Sequence, residues 1–130
     1  MIVFLLINIY LITLLKEFYL DPRPFWTHPK VKSLGMYCPG EYGNTSGHSW
    51  FATVFSFLIF LKYFPRVRKF YALGSVSLII FLVALSRMYL GAHSLNQVML
   101  GVSLGMAMNV LYYICGLDDQ ISAFLEKFNI

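Results

Sequence analysis

The stretch Phe70 to Met88, FYALGSVSLIIFLVALSRM, decides the fold. It is apolar throughout except for small hydroxyl residues, and its one charge, Arg87, stands at its far end. A helix needs about 20 such residues to cross a hydrocarbon layer of roughly 30 Å. Three further runs share this character: Met1 to Leu20, Trp50 to Phe64, and Leu95 to Leu117. Trp50 to Phe64 alone reaches only ~23 Å at about 1.5 Å per residue. Adding Ser46 to Ser49 brings it close to full width, with its first turn at the interface. Over the whole chain 58% of residues are hydrophobic and 12% charged, too little charge to cover a water-soluble surface. The sequence therefore predicts an all-α fold, a transmembrane bundle of four membrane-spanning helices in a single domain over residues 1–130.

Other features narrow the class. The first run starts at Met1 with no basic leader, and no small-residue cleavage site precedes Lys16 and Glu17, so a retained span is expected in place of a cleaved signal peptide. The net charge of +4 is dispersed between the spans, which gives nucleic-acid binding no support. Cys38 and Cys115 are expected on opposite membrane faces and so do not pair. The connection from Asp21 to Thr45 holds Pro22, Pro24, Pro29, Pro39, Gly35, Gly40 and Gly43, and reads as an ordered loop without helix. Such a long loop in a compact protein points to function. The tail, with Phe124, Leu125 and Phe128 among acidic and basic residues, reads either as an amphipathic interfacial segment or as a frayed end.

Because consecutive spans reverse direction, the end of the first, the start of the second, the end of the third and the start of the fourth emerge on one face. Lys16 and Arg23 close the first, Ser46, Gly47 and His48 open the second, Arg87 closes the third, and His93 with Gln97 opens the fourth. Ionisable residues at membrane depth cost about 2.5 to 3.5 kcal/mol each on insertion scales, so they face a cavity or a partner. Three cations beside two helix N-termini make an anion site, and guanidinium forks match phosphate oxygens. Ser46 offers a hydroxyl donor, and Gly47 lets the backbone come close to the anion. Two histidines at a phosphate site divide phosphoester cleavage between attack on phosphorus and protonation of the leaving oxygen. Asp21 and Glu41 are too few carboxylates for a two-metal centre, so neither metal nor cofactor is expected.

Three signatures in order carry a resemblance. Lys16-Glu-Phe-Tyr-Leu-Asp-Pro-Arg23-Pro24, Asn44-Thr45-Ser46-Gly47-His48 and Ser86-Arg87-Met-Tyr-Leu-Gly-Ala-His93-Ser-Leu-Asn-Gln97 resemble those of the type 2 phosphatidic acid phosphatases, with their glucose-6-phosphatase, sphingosine-phosphate phosphatase and vanadium haloperoxidase relatives. The resemblance runs from Lys16 to about Gly105. It implies a metal-independent phosphomonoesterase in which His93 attacks phosphorus, His48 protonates the leaving group, and Lys16, Arg23, Ser46, Gly47 and Arg87 hold the phosphoryl oxygens. It also implies six spans, of which this sequence carries the last four.

Two positions depart from the family pattern. Gln97 stands where the family has an aspartate that orients the nucleophile; one helical turn from His93, its amide oxygen is expected to accept the imidazole N–H. Thr45 replaces the usual proline and is expected to serve as a helix N-cap. Glu41-Tyr42-Gly43 resembles the sphingoid-phosphate branch, whereas Gln97 resembles the sugar-phosphate branch. The expected substrate is a lipid phosphate, phosphatidate or a sphingoid-base phosphate, rimmed by Phe25, Trp26 and Tyr37; the alternatives are a sugar phosphate, or lipid-phosphate binding with little catalysis. Lys62, Arg66, Arg68 and Lys69 put the opposite face in the cytoplasm and the site on the lumenal or external face of an endomembrane or plasma membrane. Gly101 and Gly105 permit close helix approach, either within the bundle or in a homo-oligomer.

Overall fold

The computed structural model describes residues 1–34, 40–64 and 69–127. Within them the chain forms six helices and no strand: α1 (Ile2–Tyr19), α2 (Pro24–Thr27), α3 (Gly47–Tyr63), α4 (Lys69–Tyr89), α5 (Leu95–Ile114) and α6 (Leu117–Lys127). Three of the four expected spans, α1, α4 and α5, are long and apolar enough to cross a membrane. The fourth, α3, is shorter at 17 residues, or ~26 Å at about 1.5 Å per residue.

Local chemistry sets the boundaries. α1 ends at Leu20, in a left-handed conformation with φ 48°, where its N–H closes the last turn on the carbonyl of Lys16. Pro22 and Pro24 then prevent the helix from resuming in register. The loop that follows is not wholly irregular, as the prolines suggested. Pro24 sits at a first helical position, where its missing N–H costs nothing, and nucleates the single turn of α2. α5 stops at Ile114, three residues earlier than the apolar run implied, because Gly116 at φ 56° turns the chain into α6. The tail is thus an amphipathic helix, with Leu117 and Ile121 packed on the core. Tyr37, Cys38, Arg66, Arg68 and Phe128 lie outside the described residues.

α3 is the hub. It packs most extensively on α5 and α4, and also on α1. The core is built from Phe4 and Ile12 of α1, Trp50, Val54 and Leu58 of α3, and Tyr112 of α5, with the Phe4 and Tyr112 rings 4.6 Å apart. A polar contact crosses it: the Trp50 indole N–H donates to Asn8 Oδ1 at 2.7 Å, while Asn8 Nδ2 donates to the Phe4 carbonyl at 2.8 Å. Burying such groups in an apolar interior is costly unless they are paired, so this bond also fixes the register of α1 on α3. Outward faces are strongly apolar. On α4, Phe70, Leu73, Leu78, Phe81 and Leu82 are exposed while Val76 and Ile80 are buried. That pattern suits lipid and not water.

Without a hydrophobic drive between helices in lipid, small residues let backbones meet. A Cβ on Gly101 would lie 2.6 Å from the Ser46 carbonyl oxygen, and one on Gly105 would lie 2.8 Å from that of Trp50. Both glycines are buried against α3 within this chain. Of the two uses expected of Gly101 and Gly105, the structure shows the one within the bundle, against α3.

Candidate active site

The ends of α1 and α4 and the starts of α3 and α5 meet around a cavity of about 230 Å³, lined by Lys16, Arg23, Ser33, Glu41, Gly47, His48, Arg87, Leu90, Ala92 and His93. Six of the eight residues expected at the site line it: Lys16, Arg23, Gly47, His48, Arg87 and His93. Both histidines therefore line one space. Ser46 and Gln97 do not line it.

Arg23 organises the site. It is 4% exposed, and its Nε–H donates to the Glu41 carbonyl at 2.7 Å. Its Nη1 donates to the Ala92 carbonyl at 3.0 Å and lies 3.4 Å from His93 Nε2. One guanidinium thus joins the long loop, the α4–α5 turn and the histidine ring. Further backbone bonds hold the same segments: Gly43 N–H to the Asp21 carbonyl at 2.7 Å, and Leu34 N–H to the Leu90 carbonyl at 3.2 Å. The α4–α5 turn needs glycine at position 91, where φ is 67° and a Cβ would stand 2.8 Å from the Lys32 carbonyl oxygen.

The tautomer of His93 follows from its neighbours. Nδ1 lies 2.8 Å from the Gly43 carbonyl oxygen, which can only accept, so Nδ1 carries the proton. Nε2 of the neutral ring then holds the lone pair, directed at the Arg23 guanidinium beside the cavity. Burial lowers the His93 pKa to about 4, with the Arg23 charge and then that of Lys16 acting in the same sense, while the Gly43 carbonyl and the Gln97 side chain oppose the fall. The ring is neutral at physiological pH.

The acceptor nearest that N–H is the Gly43 carbonyl, while the Gln97 side chain, expected to accept it, still favours the protonated ring. Ser94 is the N-cap of α5, and with Gln97 it forms a capping box: Ser94 N–H donates to Gln97 Oε1 at 3.0 Å, and Gln97 N–H donates to Ser94 Oγ at 3.4 Å. Gln97 Nε2 donates to Asp21 Oδ2 at 2.9 Å and to the Pro22 carbonyl at 3.0 Å. Gln97 thus braces the loop that presents Gly43 to His93. The Ser-x-x-Gln pattern at 94–97 was a readable signal for this. Ser46 also differs from expectation: it is fully buried, its hydroxyl is 2.9 Å from that of Ser49, and it is the N-cap residue of α3 in place of Thr45.

His48 is exposed, in the first turn of α3. Arg87 is half-buried, with Nε 3.4 Å from Ser86 Oγ. Sequence reasoning missed Ser33, and it gave Glu41 no place at the site. The Glu41 carboxylate is held by the Lys16 ammonium, whose hydrogen bond and charge keep it below the usual carboxylate range. Among expected rim residues, Trp26 packs edge-on to Phe25 and to Tyr42, with centroids 6.0 and 5.9 Å apart. A second, apolar groove of about 600 Å³ leads away along α3, lined by Ile9, Ile12, Thr13, Phe51, Ala52 and Val83, and it shares Lys16, Glu41, Gly47 and His48 with the cavity.

Residues 1–120 match the PAP2 superfamily. Sphingosine-1-phosphate phosphatase 2 of Homo sapiens is 35% identical over 94 residues, covering 71% of this chain and 23% of that protein. The Mus musculus protein of the same name is 33% identical over 94 residues, covering 71% of this chain and 26% of its own. The chain thus spans about a quarter of the length of the curated relatives it matches. No solved structure matches it significantly. The match over nearly the whole length, on a helical membrane fold, shows that the chain belongs to the PAP2 superfamily.

Proposed function

We propose that the chain is a membrane-embedded phosphatase that hydrolyses a lipid phosphate monoester through a phosphohistidine intermediate. The observation that carries this reading is the Nε2 lone pair of His93, fixed by the Gly43 carbonyl on its far side and set beside a guanidinium in a cavity with two more cations. Nε2 forms a bond to phosphorus as the ester P–O bond breaks. The leaving oxygen takes the electron pair and a proton from the His48 imidazolium. Neutral His48 then accepts a proton from water as the water oxygen attacks phosphorus, and the N–P bond breaks to restore His93. Lys16, Arg23 and Arg87 balance charge on the equatorial oxygens, the chief electrostatic demand of such a transfer. The Gly47 backbone, at the N-terminus of α3, adds a close approach for an oxygen. The reading requires no metal.

The apolar groove that opens from the cavity supports a lipid substrate over a sugar phosphate. Lys62 and Lys69, with Arg66 and Arg68 between them in sequence, argue for a cytoplasmic α3–α4 connection and a lumenal or external cavity. The test is phosphate release from a long-chain lipid phosphate by the purified protein in phospholipid vesicles, with and without a chelator. Undiminished release in the chelator is expected. Release only with added magnesium, or from glucose 6-phosphate but no lipid phosphate, contradicts the reading. In sealed vesicles the same assay locates the cavity by the side from which substrate must be added.

The low pKa of His93 gives a second expectation. Attack requires the unprotonated ring, so kcat/KM, corrected for the substrate's own ionisation, rises with pH through a midpoint near 4. Above that pH the nucleophile is fully available. An acid limb near the ordinary histidine value, about 6.5, contradicts a buried neutral His93.

A further inference from the structure

The anion cavity contains a group that phosphate binding does not call for. Glu41 is the only carboxylate among the described residues lining either the cavity or the apolar groove, and it lines both. Its main chain is fixed, because its carbonyl accepts from Arg23 Nε. Its side chain is 65% exposed, while that of its partner Lys16 is 14% exposed, so the acid stands at the mouth and the lysine deeper. The Lys16 ammonium keeps it ionised.

For a phosphomonoester this placement is unfavourable taken alone. A dianion entering the cavity meets a carboxylate already paired with one of its three cations, and like charges at such range repel. The penalty disappears for a ligand that brings its own cation. Passing from the cavity past Glu41 into the groove, the protein presents cations, then one anion, then an apolar wall. The complementary ligand has a phosphate, then an ammonium a few bonds away, then a hydrocarbon chain. Long-chain amino-alcohol phosphates have that order; diacyl phosphates, whose ester-bearing backbone carries no ammonium, do not.

We propose that Glu41 is a specificity determinant that receives the ammonium group of a long-chain amino-alcohol phosphate and disfavours lipid phosphates lacking one. This rests on the phosphatase reading above. In that role Glu41 turns the cavity from a general phosphate receptor into one matched to a zwitterionic headgroup, with Lys16 released toward phosphorus as the substrate ammonium takes its place at the carboxylate.

The experiment compares kcat/KM for a long-chain 2-amino-alcohol phosphate, its N-acetylated form and an amine-free alkyl phosphate of equal chain length, in the wild-type protein and in Glu41→Gln and Glu41→Asp. Wild type is expected to prefer the free amine by about tenfold, the scale of one partly exposed charge-assisted hydrogen bond. Glu41→Gln should lose that preference through slower turnover of the amine and faster turnover of the amine-free phosphate. Glu41→Asp, which keeps the charge, should retain it in part. Equal rates for free and acetylated amine in the wild type overturn the proposal with no variant needed. So does a Glu41→Gln protein in which both rates fall together, the behaviour of a mere clamp on Lys16. Hydrolysis of none of the three defeats the phosphatase reading itself, and this inference with it, which is a different outcome from unselective hydrolysis.

Discussion

His93→Ala is expected to lower kcat by on the order of 10⁴-fold or more, the scale on which removal of a nucleophile acts when its partners remain in place. In the proposed mechanism no N–P bond forms without the ring. Lys16, Arg23 and Arg87 still line the cavity, so the variant should keep its affinity for inorganic phosphate or an unreactive lipid phosphonate while losing turnover. Two measurements separate chemistry from damage. Rapid acid quenching of the wild-type protein with labelled substrate should yield an acid-labile phosphoenzyme mapping to His93. The alanine variant should yield none. A variant that retains a tenth of wild-type activity, or label on another residue, removes His93 from the nucleophile's role. The ring also occupies space between Arg23 and the Gly43 carbonyl, so His93→Gln, whose amide can still donate to that carbonyl, serves as the conservative companion.

Gly101→Leu should have the largest effect on the fold. The Cβ alone would stand 2.6 Å from the Ser46 carbonyl oxygen and 3.4 Å from the Trp50 amide nitrogen, both backbone atoms that no rotamer change can move aside. α3 must back away from α5, at a cost of about 1 to 3 kcal/mol or more for overpacking of this kind. The displacement falls on the turn carrying Gly47 and His48, and it strains the bond from Ser46 N–H to the Gln97 carbonyl, 3.2 Å long. Activity should fall together with thermal stability in detergent. Gly74 supplies the contrast: it too lies within a helix, but a Cβ there meets nothing within 4 Å. Gly74→Leu should leave both properties near wild type, aided by better helix propensity. If Gly101→Leu unfolds at the wild-type temperature, the close α3–α5 packing described here is wrong.

Much of this molecule was legible in its sequence because membranes impose coarse rules. Apolar runs of span length fix helices, alternation fixes which ends meet, and a cation such as Arg87 at the close of such a run has few places to go. Those rules brought Lys16, Arg23, His48, Arg87 and His93 together. What they could not supply were contacts made by backbone atoms. The Gly43 carbonyl on Nδ1 and the Ala92 carbonyl on Arg23 belong to residues whose side chains announce nothing. Gln97 was placed beside the site, but the motif did not show that its amide oxygen also accepts from Ser94 N–H and so caps α5. Ser46 was read as a phosphate donor from its motif, yet burial turns its hydroxyl toward Ser49. Gly101 and Gly105 offered two uses, and packing shows the one within the bundle.

The position of Arg23 has one more consequence. Its guanidinium is mortar between two distant stretches of chain and, in the proposed mechanism, also a reagent beside the reacting nitrogen, so no substitution there isolates a chemical contribution from an architectural one. Kinetic losses at position 23 will always mix the two. Anyone wishing to weigh a single positive charge in the proposed reaction has a cleaner subject in Arg87, whose nearest polar contact among the described residues is with its own sequence neighbour.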